Sequence, residues 1–416
     1  MDKINIREPR VEVTEYPSHP KNKNWGAKEA TIYNTRISAD PKGRTAVEIW
    51  KNKKEEMVEE ELEKEEKKFL KFLAERGHIS AFYQANVGIT YEVPRHTTLF
   101  LCSFDHPKYM QQSQRYTKAD EFISYSKSED VVEIFSKQSN LYRRMLESDS
   151  VPKEDARYIL PLGIAATHIH QNTNLAGLMN IHRVLKSEKN VVPKITKDSF
   201  YDAIEKLETM EPDLFNKEIM NALIEADKGY PVADMFCKKN KWVNEVLKNL
   251  EKNATVSRFS YDTTSELEKR ADKFNDEALS FLSLSNNPER VDGYIATMSI
   301  SAWHQFMRND TVKDSVESVY NAAERGEIIV PPKVEKSSFN EEYIDLFKET
   351  LELYQKIKKE DCKENAMEVL PHGLGLGVAF SLDGFNRKKG FLPDRTQEAA
   401  QWEIRDIARE LESGIP

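Results

Sequence analysis

Apolar side chains along this chain recur mostly three and four residues apart, the spacing of one face of a helix. Over 46–76 a dense Glu and Lys pattern is interrupted by Val58, Leu62, Phe69, Leu70 and Leu73, which predicts an exposed amphipathic helix with a solvated charged face. Residues 87–93 alternate in the manner of a strand, and 97–104 reads as a second strand or a buried helix. Over 154–186 the spacing is helical, with Pro161 kinking or restarting the helix near its first turns. Helical patterns resume over 198–227, 243–253, 264–285, 291–307 and 343–358, so most of the chain is predicted to be helix. The Pro- and charge-rich opening, 2–24, is expected to be loosely ordered or laid against the surface.

Two stretches repeat. Ala156-Arg157-Tyr158-Ile159-Leu160-Pro161-Leu162-Gly163 and Ala366-Met367-Glu368-Val369-Leu370-Pro371-His372-Gly373 share Ala, Leu, Pro and Gly at an offset of 210. Upstream, Ser103-Phe104-Asp105 with Ser113 corresponds to Arg308-Asn309-Asp310 with Ser318 at an offset of 205, and a loop can absorb the difference. The pattern predicts a diverged tandem duplication: an opening segment 1–30, a first repeat 31–187, a helical insert 188–287 and a second repeat 288–416.

Composition narrows the function classes. The length of 416 residues suggests two or three domains of about 100–200 residues each. Charged residues make up 31% and hydrophobic ones 39%, and no apolar run approaches the roughly 20 residues of a membrane span. A net charge of -9 argues against general nucleic-acid binding, which needs a basic surface, but leaves room for a local pocket for one small anion. The opening residues lack a signal-peptide layout, so a cytoplasmic location is expected. Cys102, Cys237 and Cys362 are too few and too scattered for a disulfide framework or a zinc site.

The chemistry concentrates in Met110-Gln111-Gln112-Ser113-Gln114-Arg115-Tyr116. In an extended segment Ser113 and Arg115 can point the same way, and a hydroxyl with a guanidinium suits a phosphate. Gly373-Leu374-Gly375-Leu376-Gly377 lacks the context of a dinucleotide fingerprint and reads as close helix packing. His168 and His170 would not share a helical face, so no metal site is expected there. His96 and His106 flank the triad at Ser103 and are further candidates.

Taken in order, 111–116, Ala156-Arg157-x-x-Leu160-Pro161, Asn174, Leu178-Met179-Asn180 and Ala400-Gln401-Trp402-Glu403-Ile404-Arg405-Asp406-Ile407-Ala408 resemble the flavin-dependent thymidylate synthases. Thr35-Arg36-Ile37-Ser38 and Gly77-His78-Ile79-Ser80 fit ahead of them, and the resemblance touches 31–187 and 289–416. It implies an α+β fold, helix-rich with small sheets, built from two diverged copies of a thymidylate-synthase-complementing-protein-like domain. It implies methylation of dUMP at carbon 5 with FAD, NADPH and methylene-tetrahydrofolate, and no cysteine attack on the base.

Carried over by position, the resemblance assigns dUMP to Gln111, Ser113, Arg115, Arg157 and Gln305, and FAD to Ser38, His78, Ser80, Asn174, Asn180 and Arg308, with Arg157 and Arg395 as catalytic residues. The chain departs from the family where Arg-His-Arg becomes Ser103-Phe104-Asp105, where Tyr83 and Ala176 replace a glutamate and an arginine, and where Asn309 and Asp310 follow Arg308. Met367 and Tyr320 replace the nucleotide arginines in the second repeat. The losses are largely complementary, so Gln111, Ser113, Arg115 and Arg157 are expected to face Gln305, Arg308 and Arg395 across an interface between halves, within one chain or in a homodimer that mimics the family's tetramer. Two other readings stay open: a flavoenzyme acting on another pyrimidine nucleotide, and a non-catalytic nucleotide-binding descendant, which the carboxylates Asp105 and Asp310 favour.

Overall fold

The computed structural model describes residues 4–17, 25–104, 107–112, 121–227, 232–238, 240–251, 254–262, 290–309, 312–360 and 364–414. Ser113, Arg115, Asp105, His106, Asp310, Cys362 and the helix expected over 264–285 lie outside them.

Among the described residues ten strands form two sheets: β1 (Asn5–Arg7), β2 (Arg10–Glu15), β3 (Asn86–Pro94), β4 (Lys108–Gln111), β5 (Glu121–Ile123), β6 (Ile164–Asn174), β7 (Val256–Asp262), β8 (Arg290–Ser299), β9 (Lys313–Val316) and β10 (Gly375–Ser381). The first sheet runs β1-β5-β6-β3-β2 with β4 also on β6, and the second runs β7-β8-β10-β9. Helices surround both, so the fold is α+β and helix-rich with small sheets.

Several expected helices are strands. Within 154–186 only the short helix Lys153–Ala156, the 3-10 turn Arg157–Ile159 and the helix Leu175–Lys186 wind up, while 164–174 is β6, paired from Asn86↔Asn174 to Val93↔Thr167. Burial along β6 does alternate, with Ile169, Gln171 and Thr173 inside and His168 and Asn172 exposed, but Gln171 and Thr173 are polar, so the period of two is hidden in the sequence and strand pairing overrides the helical spacing. Residues 290–299 likewise become β8 before the helix Ile300–Phe306. The Gly373 to Gly377 stretch enters β10 rather than a helix, although it is closely packed: a Cβ on Gly377 would lie 2.9 Å from Leu247 Cδ1. The stretch 97–104 is mainly the helix Arg95–Cys102. The helix over 46–76 divides into Ala46–Glu56 and Glu59–Glu75, because Met57 and Val58 are extended and three glutamates open the second helix. At the start of the chain, β1 and β2 pair with β5 and β3, so this part is sheet rather than loose. The span 188–287 contains the helices Lys194–Met210, Lys217–Ala226 and Lys241–Leu247, but also β7, an edge of the second sheet, so it is not wholly helical.

The duplication is visible in three dimensions. In each half a strand leads into a helix, then a short strand, and both strands pair with a later central one: β3, Arg95–Cys102, β4 and β6 in the first; β8, Ile300–Phe306, β9 and β10 in the second. The repeated Leu-Pro segments cross antiparallel at a Pro161↔Pro371 bridge. Leu162 N donates to Leu370 O (2.8 Å) and His372 N to Leu160 O (3.0 Å); Gly163 N donates to Glu368 O (2.8 Å) and Gly373 N to Tyr158 O (2.7 Å). Each bond in a pair maps onto the other under the offset of 210, as the self-complementary contacts of a twofold axis do. One hydrophobic core runs through both halves around this crossing.

Candidate functional site

The crossing aims the two strand-following helices at one another. His96 N donates to Leu162 O (3.1 Å) and Ser301 N to His372 O (3.1 Å), so each helix begins on its own half's crossing segment. Arg95 opens the first helix, only 5% exposed, and Thr98 Oγ1 donates to its carbonyl (2.9 Å). The Arg95 Nη2 donates to Nδ1 of His304, 2.6 Å away on the second half's helix. Since a guanidinium can only donate, Nδ1 must be the acceptor, and a neutral His304 carries its proton on Nε2.

Arg157 follows the helix Lys153–Ala156, is 3% exposed, and donates through Nε to Glu154 O (3.1 Å). The C-terminal segment braces its neighbour Tyr158: the Tyr158 hydroxyl donates to Glu403 (2.8 Å), Gln401 Nε2 donates to that hydroxyl, and Trp402 stacks on the ring with centroids 6.2 Å apart. Glu403 also accepts from Ser299 Oγ (2.8 Å) and Ser299 N, tying together the first half, β8 and the last helix. Arg308 is exposed, and partial loss of hydration lowers its pKa. Arg395, on Phe391–Arg395, donates to Asn309 Oδ1 (2.7 Å) and adds its charge beside Arg308.

These cations feel one another. Burial, then Arg157 and Arg308, push the pKa of Arg95 down to about 9, so it is still charged at neutral pH. Burial and the charges of Arg95, Arg308 and Arg157 push His304 well below its usual range, and burial with Arg95 and Arg157 does the same to His372. Arg157 from one half and Arg308 from the other therefore act on the same two groups within one chain. Burial raises the Cys102 thiol to about 11 despite Arg308 and Arg95 nearby, so it stays protonated.

Unsatisfied polar atoms sit on these same elements. Gln111, on β4, donates to Thr98 Oγ1 (3.0 Å) while its Oε1 is buried without a hydrogen bond. Among the described residues His304 Nε2, Gln305 Nε2, both ring nitrogens of His372 and Arg395 Nε are likewise buried without one. Buried polar groups are nearly always satisfied, so such a concentration marks a place for a polar ligand.

The remaining expected residues lie elsewhere. Ser38 is exposed and bonds the Thr35 carbonyl (2.8 Å), and His78 and Ser80 are exposed at the helix Ile79–Phe82. Asn174 caps the helix Leu175–Lys186 through Gly177 N (3.0 Å), and Asn180 accepts from Arg183 (2.9 Å). His168 and His170 share a face of β6 after all, because the segment is a strand, and they approach Glu92 (3.6 Å) and Glu15 (3.9 Å). Among the described residues no three His, Cys, Asp or Glu side chains gather as a metal site. His96 is buried against Thr196 Oγ1 (3.1 Å), a core contact. Sequence reasoning missed Arg95, His304 and His372. The available signal was Arg95 itself, a single cation in the otherwise uncharged run 93–104.

Fold and site together define an α+β protein of two fused, diverged copies, with two buried arginines, Arg95 and Arg157, near their crossing. The chain belongs to the thymidylate synthase complementing protein family, whose model matches residues 23–191 and 291–413. No curated protein matches it. Among solved structures it is similar to a UMP/dUMP methylase PolB from Streptomyces cacaoi bound with 5-Br UMP, at 14% identity and a TM-score of 0.39, covering 53% of this chain and 97% of that one. The same methylase bound with 5-Br dUMP gives 14% identity, a TM-score of 0.40, and coverage of 55% and 100%.

Proposed function

We propose that this protein is a thymidylate synthase that methylates dUMP at carbon 5, with a site composed from both halves of one chain. The observation that carries the reading is the run of cations from both halves, Arg157 with Arg308 and Arg395, gathered beside unsatisfied amide and imidazole atoms. Such a place suits a dianionic nucleotide: guanidiniums take the phosphate, and amides such as Gln111 and Gln305 orient the sugar or base. Ser113 and Arg115 follow Gln111 on the same segment and belong to the nucleotide side of the proposal. Arg395 is held by Asn309 on the side of Arg308, where it can steady charge that develops on the pyrimidine.

FAD, NADPH and methylene-tetrahydrofolate complete the reading, the reduced flavin supplying hydride when bound. In the first half the elements that carry the expected flavin residues pack on one another, Ala27–Ile37 on Ile79–Phe82 and that helix on Leu175–Lys186, with Ser38, Asn174 and Asn180 bonded within the fold and His78 and Ser80 facing outward. Exposed Ile37, Phe72 and Tyr83 accompany them, with the Phe72 and His78 rings 6.0 Å apart. A second copy of the chain covering this apolar patch would complete it, so the proposal includes a homodimer. Light scattering should return twice the chain mass, and Phe72→Glu should return the single mass and lose flavin.

An absorption spectrum tests the enzyme reading. Purified protein should carry a flavin band in the blue, bleached by NADPH and restored by methylene-tetrahydrofolate with dUMP, with thymidylate formed. A colourless protein that binds dUMP without forming thymidylate would instead support a non-catalytic nucleotide binder, the reading that the engaged Asn174 and Asn180 favour.

A further inference from the structure

We propose that Arg95, held in aim by His304, is the residue that grips the phosphoryl oxyanion of the ligand. The inference rests on the nucleotide reading above and adds a binding residue from outside every motif that carries the family resemblance.

A guanidinium withdrawn from water needs a counter-charge, and Arg95 has none among the described residues. Its hydrogen bond is to a neutral imidazole, and the charges acting on it are two further guanidiniums. A buried cation surrounded by cations is costly unless an anion joins it. The bond to His304 uses Nη2 and leaves Nε and Nη1 of the fork for a second partner. His304 Nε2–H, buried without an acceptor, is one more unused donor on the residue that Arg95 contacts.

The other half supplies an internal control. Under the offset of 205 that relates His96 N to Ser301 N, Arg95 corresponds to Ile300 and His304 to Leu99, both fully buried. The fold therefore accepts an aliphatic side chain at the first position of this helix, and the guanidinium is not a requirement of packing. Its cost is explained only by a ligand. Phosphoryl oxygens are the shared chemistry of a nucleoside monophosphate and of a flavin dinucleotide, and the monophosphate is favoured because Arg157 acts on the same point.

The test is calorimetric titration of the full-length protein, wild type and Arg95→Met, with dUMP, deoxyuridine and FAD. Wild type should bind dUMP at least about 30-fold more tightly than deoxyuridine, a preference that Arg95→Met should cut at least about tenfold, the other guanidiniums keeping the rest, while deoxyuridine binds as before. Ligand-free Arg95→Met should melt no lower than wild type, because the substitution removes an uncompensated buried charge. Arg95→Lys, which keeps the charge without the fork, should retain part of the preference and covers the case in which the methionine variant fails to fold. Arg95→Met that keeps the wild-type preference, or Arg95→Lys that binds like wild type while Arg95→Met unfolds, overturns the proposal. Wild type that ignores the phosphate of dUMP but binds FAD through Arg95 would sink the thymidylate reading and leave the oxyanion role standing. Arg95-independent binding of both ligands sinks the oxyanion role, and thymidylate formation by wild type then decides the enzyme reading separately.

Discussion

Charge and burial set the terms at the scale of single residues. Asp155, 4% exposed on the helix before Arg157, has its carboxyl raised to about 6, chiefly by burial and then by Glu154. Its folded pKa exceeds the ordinary aspartate value of 3.8, so the folded state binds more protons between about 6 and 3.8, and stability from this group rises as pH falls through that window. Asp155→Asn should therefore be more stable than wild type at pH 8, by an amount on the order of 2 kcal/mol, with the advantage gone near pH 4. Urea unfolding at the two pH values checks it. Glu403 works in the opposite sense, through its partners: Glu403→Ala strands the donors of Tyr158 and Ser299 and should cost about 3 kcal/mol or more. Equal urea midpoints for this variant and wild type would refute the brace.

At the scale of elements the paired Leu-Pro crossing is the feature most sensitive to shape. A Cβ on Gly163 would lie 2.8 Å from Phe135 Cζ and 3.1 Å from the Glu368 carbonyl; one on Gly373 would lie 2.4 Å from Tyr343 Oη and 3.1 Å from the Ile329 carbonyl. Neither neighbour can step aside cheaply, because the Tyr343 hydroxyl is bonded to Ile329 O (3.0 Å) and Phe135 is fully buried. Gly163→Ala and Gly373→Ala should each cost about 1–3 kcal/mol, read as a lower thermal midpoint. The same elements show where sequence patterns mislead. β8 is covered on both faces over 293–299 and β6 buries the polar Gln171 and Thr173 on its inner face, so neither shows an apolar period of two, and only their partners β10 and β3 reveal the strands. The helix Arg95–Cys102 is one of the two alternatives the pattern allows, and its seat on the Leu-Pro segment through His96 N to Leu162 O goes with the helix.

Across the whole molecule the twofold relation is broken where chemistry sits. On one side of the axis stand Arg95, Arg157, His304, Gln305 and Arg308; their counterparts at offsets of 205 and 210 are Ile300, Met367, Leu99, Phe100 and Ser103. Ile300, Met367, Leu99 and Phe100 are fully buried core, so the second possible site is closed. Titration with dUMP should accordingly saturate at one nucleotide per chain, and a stoichiometry of two would refute the closure. The sequence by itself determined the duplication and the family, and proposed Arg157, Gln305, Arg308 and Arg395 for the site, because spacing and residue type are one-dimensional facts. Only the tertiary structure decided that the repeats cross at Pro161 and Pro371, that Arg95 meets His304, and that the charges of Arg157 and Arg308 both act on that pair. Those are long-range pairings, fixed by the packing of segments some two hundred residues apart.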